Sequence, residues 1–383
     1  MDFTRRSTLE LMIGGLALAG ASQARAGSPA TAPYDAVLTP NGSPRDGVKG
    51  YRTLAEAVAA APAEAAKPFR ILVPAGHWRH RAIIDKPSIE LVGEGPDKSL
   101  IVFDDWAAKP VAADSPFKPF GAATLVVTAP DFHARDLHIA NDWDYPSHIP
   151  APSPYDRTGV SGAQAQALLL TRQSDRAYFH NVRLSGHQDT LWTDSGRNLF
   201  EQCQISGSVD FIYGAARSVF DRCTIICRRR PGQEFNGFIA APSTPADQPY
   251  GLVFLDCRIE KEPDVAPQSV ALGRPWKQGH RVNGKVESNP RAVGQAVYLR
   301  CWMDDHIVPQ AWFEMHALAA NGSFYMVQPE EARFYEFQSS GPGAGDPAKR
   351  PDRRRQLPAD QAGAFTREAV LEGWALPSIK TAR

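Results

Sequence analysis

The clearest pattern of hydrophobic and polar positions is a six-residue motif that returns along the chain. Segments 179–184 (FHNVRL), 200–205 (FEQCQI) and 220–225 (FDRCTI) each read aromatic, two polar, small or apolar, polar, aliphatic. Their starts are 21 and 20 residues apart. Segments 254–259 (FLDCRI) and 298–303 (YLRCWM) follow with leucine in the second place, and 134–139 (ARDLHI) fits more loosely. The intervals there are 34, 44 and 45 residues, which imply coils with long loops or two coils per interval. Short aliphatic runs at 71–73, 89–92 and 124–127, bounded by Gly, Pro and Asp, read as strands. Short strands at this period predict an all-β solenoid, a right-handed parallel β-helix, in which each repeat is one coil. Phe179, Phe200, Phe220 and Phe254 then stack as one inward ladder. The competing reading is an ordinary β-sandwich with chance self-similarity; the eight long amphipathic helices of a TIM barrel are not found.

The same period governs two acids. Asp189, in Gly-His-Gln-Asp-Thr-Leu-Trp (186–192), precedes Asp210, in Gly-Ser-Val-Asp-Phe-Ile-Tyr-Gly (207–214), by 21 residues. One coil apart, they come to rest side by side, about 4.8 Å from each other along the stack. Carboxyls that close do not both ionise easily, so one tends to keep its proton. That is a catalytic arrangement.

A solenoid must cover its ends. Thr53-Leu54-Ala55-Glu56 is a capping-box sequence, and the Ala-rich run 54–61 stops at Pro62. A lone short helix there is expected to plug the N-terminal end. Segment 339–356, rich in Gly, Pro and charge, reads as a surface loop, and 359–373 as a last short helix lying on the body. Residues 1–26 read as an address. Arg5 and Arg6 precede a modest apolar run, 11–19, and the small-residue site Ala24-Arg25-Ala26. A twin-arginine signal peptide predicts delivery, already folded, to the bacterial periplasm or beyond. An ordinary secretory signal with a chance arginine pair is the alternative.

Composition adds limits. The 383 residues carry 42 Lys+Arg and 42 Asp+Glu, so neither a nucleic-acid footprint nor a broad acidic surface is implied. No stretch approaches the roughly 20 apolar residues of a membrane span. Cys203, Cys223, Cys257 and Cys301 share one place in the repeat and are expected to face inward; Cys227 is expected to be free. The spacings lack a Cys-x-x-Cys zinc pattern. Cys203 and Cys223 sit one coil apart, within Cα reach of a disulfide, so a bridge and two free thiols both stay open.

The two aspartate motifs and Leu-Gly-Arg-Pro-Trp (272–276) resemble the three signatures of the pectin methylesterase (pectinesterase) family, in its bacterial exported type. The likeness continues through Gln166-Ala167-Leu168-Leu169-Leu170 and Tyr51-Arg52-Thr53-Leu54, and covers roughly residues 34–375 as one catalytic domain. It implies a right-handed parallel β-helix and an aspartyl esterase that demethylates pectin, releasing methanol and pectate. The partner implied is methyl-esterified homogalacturonan, bound by a monomer that needs no metal or other cofactor. By resemblance, Asp210 is the nucleophile and Asp189 the acid, later the base. Gln166 and Gln188 are the oxyanion donors, and Arg274 supplies the counter-charge for Asp210. Trp276, Trp192, Phe211, Tyr213 and Met303 match groove positions that contact sugar rings. Core packing is the alternative for each aromatic, and for Met303 the two roles are evenly matched. His187 stands where the family commonly has tyrosine, Trp192 where tyrosine is common, and Tyr213 where phenylalanine is common.

Two other classes need weighing. A pectate lyase shares this kind of fold but needs a calcium-binding carboxylate cluster and a basic residue as base; here the acids are set among glutamines and one arginine. A non-catalytic β-helix scaffold would not need Asp189, Asp210, Gln166, Gln188 and Arg274 together. A relative acting on another ester or thioester would.

Overall fold

The computed structural model describes residues 33–64, 67–149 and 162–375, and the chain from Pro33 onward forms one unit. Residues 1–26, read above as a leader, lie outside the described residues.

Among the described residues, three long sheets of 11, 8 and 7 strands run the length of the unit, and their neighbouring strands pair in parallel. Each complete coil contributes one strand to each sheet, and the terminal coils are partial. The coil 177–193 does so with Ala177–His180, Arg183–Ser185 and Leu191–Thr193; the next uses Arg197–Glu201, Gln204–Gly207 and Val209–Gly214. This is a right-handed parallel β-helix, the hand that twisted parallel crossovers adopt.

The six-residue motif is the corner of each coil. Its first residue points inward, giving a continuous register Phe179, Phe200, Phe220, Phe254, Tyr298. Their rings stack with centroids 4.6, 4.9, 4.6 and 4.2 Å apart. The third residue turns the chain. Asp136, Asn181, Gln202, Arg222, Asp256 and Arg300 all take φ between 51° and 56°. Polar side chains suit such exposed left-handed corners, and Asn and Asp tolerate them best. The fourth residue returns inward and the sixth forms an aliphatic row, Leu184, Ile205, Ile225, Ile259 and Met303. The long intervals are single coils with long loops, because Ala134 pairs directly with Phe179, and Phe254 with Tyr298.

All five cysteines are free and buried, so Cys203 and Cys223 are not bridged. Each sulfur of the row points along the stack to the previous coil: Cys203 Sγ lies 3.5 Å from Phe179 O, and Cys223 Sγ 3.3 Å from Phe200 O. In-register parallel neighbours keep their Cβ atoms near the strand spacing of about 4.8 Å. A disulfide needs roughly 3.5–4.5 Å.

The helix is Leu54–Ala59, two residues shorter than the Ala-rich run. Thr53 and Glu56 close the capping box in both directions, and Leu54, Ala57 and Val58 are buried in the core. Segment 339–356 is more than a surface loop: Arg354 is 2% exposed and forks onto buried Glu336 at 2.6 and 3.0 Å. The expected last helix is two short ones, Ala359–Ala362 and Arg367–Leu371, separated by Gly363. The second packs Val370 and Leu371 over Tyr178, Leu199 and Val219 on the outer face of the first sheet.

Candidate active site

Asp189 and Asp210 stand at equivalent places in consecutive coils. Gln188 bridges Val209 in parallel, and Asp189 N–H donates to Val209 O at 3.0 Å. Both aspartates take left-handed φ, 65° and 47°. At Asp210 the strand Val209–Gly214 also slips register against Gly237–Pro242. This irregularity turns Asp210 outward while Phe211 folds inward over Gly207, where a Cβ would lie 2.2 Å from the Phe211 Cβ. Phe211 is fully buried in the core and is therefore not a groove residue.

Asp210 is 6% exposed and clamped by Arg274, itself 5% exposed. Arg274 Nε donates to Oδ1 at 2.8 Å, and Nη2 donates to Oδ2. The guanidinium carbon also lies 4.1 Å from the centre of the Phe238 ring. The fork fixes the carboxylate in one orientation.

Asp189 is the opposite case. Part of its carboxyl faces the pocket, but protein atoms surround the rest, and burial pushes its pKa well above the ordinary carboxylate value. The negative charge of Asp210 pushes the same way; the Tyr213 hydroxyl and the charge of Arg274 oppose. The pair is thus split into one carboxylate with a cationic partner and one carboxyl that favours its proton.

These groups line a pocket of about 230 Å³ with Gln164, Gln188, Tyr213, Ala241, Trp276, Met315 and His316. Above it, Trp192 stacks on Tyr213 at 5.3 Å, and Trp276 meets Tyr213 edge-on at 5.5 Å. Trp192 is part of this cluster without lining the pocket itself. Gln166 lies behind Tyr213, off the lining, and its Nε2 donates to the tyrosine hydroxyl at 2.9 Å. Met303 is 0% exposed within the aliphatic row, so its role is packing. The pocket methionine is Met315, on the hairpin Met315–Leu318 and Phe324–Val327. That hairpin belongs to no repeat, and no periodicity could have marked it. His187 is buried, stacked on Tyr145 at 5.1 Å, with its pKa driven down to about 3 by burial and by Arg228 and Arg230. It stays neutral and outside the pocket.

Among the described residues, one group could offer three ligand atoms to a cation: Asp304, Asp305 and His306. The Lys261 ammonium already sits 2.5 Å from Asp305 Oδ1, and none of the three lines the pocket.

The sequence profile of the family described as Pectinesterase matches residues 43–373. The chain belongs to the pectinesterase family. It is 37% identical to Pectinesterase A of Dickeya dadantii over 345 residues, covering 89% of this chain and 91% of that one. Pectin methylesterase PemA from Erwinia chrysanthemi superposes with a TM-score of 0.80 at 37% identity, covering 89% of this chain and 98% of that one. A pectin methylesterase solved with a hexasaccharide gives 0.80 at 36%, covering 90% and 99%.

Proposed function

We infer that this pectinesterase hydrolyses the galacturonate methyl esters of pectin, and that the Asp189–Asp210 pair performs the reaction. The observation that carries the assignment is the split within the pair: Arg274 clamps Asp210, while burial and the Asp210 charge favour the proton on Asp189. An Asp210 carboxylate oxygen attacks the ester carbonyl, and Gln188 on the pocket lining donates to the developing oxyanion. As the tetrahedral intermediate collapses, Asp189 gives its proton to the departing methoxide, releasing methanol. The ionised Asp189 then takes a proton from water, whose oxygen attacks the acyl carbon. The bond to Asp210 breaks, freeing a galacturonic acid that loses its remaining proton to solvent, and both aspartates return to their starting protonation states.

Trp276 and Tyr213 on the pocket lining, with Trp192 stacked on Tyr213, offer aromatic surface to pyranose rings, and Met315 lines the same pocket. The hexasaccharide held by a related enzyme supports an extended groove. A monomer is proposed; a sedimentation measurement giving a dimer at assay concentration would contradict it.

The test of reaction class measures two products from highly methylated pectin: methanol, and the unsaturated sugar ends that a lyase makes. Methanol without unsaturated ends is expected, with or without chelator. Unsaturated ends that vanish on adding chelator would move the protein to the lyases. Residues 1–26 are proposed as a twin-arginine leader, cleaved before Gly27; among the described residues no helix is long and apolar enough to cross a membrane. Replacing Arg5 and Arg6 by lysine should hold the enzyme in the cytoplasm, and normal export of that variant would refute the route.

A further inference from the structure

His306 is fully buried, and no group among the described residues hydrogen-bonds either of its ring nitrogens. Buried polar groups are almost always paired, so such a ring calls for a partner. Buried this completely the imidazole is neutral, with one nitrogen carrying a lone pair that can bind a cation. Two acids stand beside it. One ring nitrogen of His306 and one carboxylate oxygen from each of Asp304 and Asp305 all lie within 4.8 Å of one another.

The backbone holds the three residues in this arrangement. Asp304 N–H donates to Ile259 O, and Gln268 N–H to Asp305 O, both at 2.9 Å. The amides of Ser269 and Val270 donate to His306 O at 2.8 and 2.9 Å. Asp305 N–H also donates to Asp304 Oδ1 at 2.8 Å. The short turn Pro342–Ala344 closes over the segment, so tightly that a Cβ on Gly343 would lie 2.1 Å from Asp304 O. Negative charge is left over as well. Lys261 Nζ sits 2.5 Å from Asp305 Oδ1 and donates to Val265 O at 3.0 Å. That ammonium answers one carboxylate, and among the described residues Asp304 has no ion pair. Lys261 also leaves Asp305 with capacity to spare, because a carboxylate has about four lone-pair directions on its two oxygens.

We propose that Asp304, Asp305 and His306 bind a zinc ion that fastens the segment after Met303 to the body of the β-helix. One imidazole nitrogen and two carboxylate oxygens suit zinc, with water in the fourth position and the ligand atoms drawn in to about 2.0–2.2 Å. The nitrogen donor disfavours calcium, which takes oxygens. None of the three residues lines the pocket, so the ion bears on stability and not on ester hydrolysis. The segment it fastens bridges Ile307 to Val270 and Trp312 to Gly273, alongside the strand that ends just before Arg274.

The test uses untagged protein cleared of metal by chelator, then titrated with zinc chloride or calcium chloride. Calorimetry should find one zinc per chain, and zinc should raise the thermal unfolding midpoint in step with its concentration. Calcium should do neither. Asp304→Asn and His306→Gln should each weaken zinc binding about 100-fold or more, since even partners behind the ligands are worth 10–100-fold. Lys261→Met removes a positive charge beside the ion and should tighten binding roughly tenfold. Methanol release should run at the same kcat with and without zinc. A parent protein that takes up no zinc, or an Asp304→Asn variant that binds it as well as the parent, would overturn the proposal. Calcium binding as tight as zinc would remove the imidazole from the ligand set, and turnover that required zinc would overturn the structural role. Asp304 is partly exposed, so its asparagine variant keeps the test decisive even where His306→Gln fails to fold.

Discussion

Replacing Asp210 by alanine is expected to cost stability as well as activity. A nucleophile facing an open groove would contribute little to folding, but Asp210 is 6% exposed and forked onto Arg274, which is 5% exposed. Breaking a buried pair from one side costs about 3–5 kcal/mol, because the remaining charge is stranded. Two features pull this to the lower end. The guanidinium keeps its contact with the Phe238 ring at 4.1 Å, and the adjoining pocket admits water. A contact of that kind retains about 0.5–2 kcal/mol. A third feature adds a cost, since alanine at φ 47° sacrifices about 1 kcal/mol that aspartate partly avoids. The sum is roughly 3–4 kcal/mol for Asp210→Ala. Asp210→Asn keeps an acceptor for one guanidinium N–H and tolerates the backbone, so about 1–2 kcal/mol is expected. Both variants should release no methanol. Equilibrium urea unfolding measures the stabilities, and the double variant Asp210→Ala/Arg274→Met should be more stable than Asp210→Ala alone. If Asp210→Ala unfolds at the same urea concentration as the parent, the guanidinium is not stranded and the reasoning fails.

Gln188→Ala should lower kcat roughly 10²-fold with little change in KM, the scale for one lost oxyanion donor; near-full turnover would remove Gln188 from that role. Phe220→Ala deletes a fully buried ring stacked on both sides, at 4.9 and 4.6 Å, and should cost about 3–5 kcal/mol in urea unfolding. Because Phe220 lines no part of the pocket, the folded fraction should keep its kcat. A loss under about 1 kcal/mol would mean the ladder relaxes around the gap. All five thiols should resist a thiol reagent in the native protein and react in denaturant, and a reductant should leave the unfolding midpoint in place. A midpoint that drops with reductant would restore the Cys203–Cys223 bridge.

What could be read from the sequence follows from what repeats. Phe179, Phe200 and Phe220 recur because every coil must fill the same interior slot, and that regularity also brought Asp189 and Asp210 together. Loop length was ambiguous because an insertion of any size leaves the rungs paired, as Ala134 and Phe179 show. The groove role expected of Phe211, and the groove alternative for Met303, fail for one reason. A motif records residue type at a position, not the side of the strand, and the bulge at Asp210 turns Phe211 inward while Met303 continues the row from Ile259. The disulfide expectation used coil spacing alone and lacked the direction of the sulfurs. Met315 and His316 arrive on a hairpin outside the repeat, and the place of Gln166 behind Tyr213 depends on ring orientations that spacing does not encode.

That hairpin has a consequence for how such a protein can change. The rungs carry the cohesion of the molecule, whereas Met315–Leu318 and Phe324–Val327 form an antiparallel appendage that pairs only with itself. Lengthening a connection costs only about 0.6 kcal/mol per doubling, so it can be rebuilt while the stack stays in register. Its inner end supplies Met315 and His316 to the pocket, and its outer strand exposes Phe324, Tyr325 and Met326. Preference among differently decorated polymers can therefore drift as an interchangeable attachment, while the aspartates stay bolted to the frame.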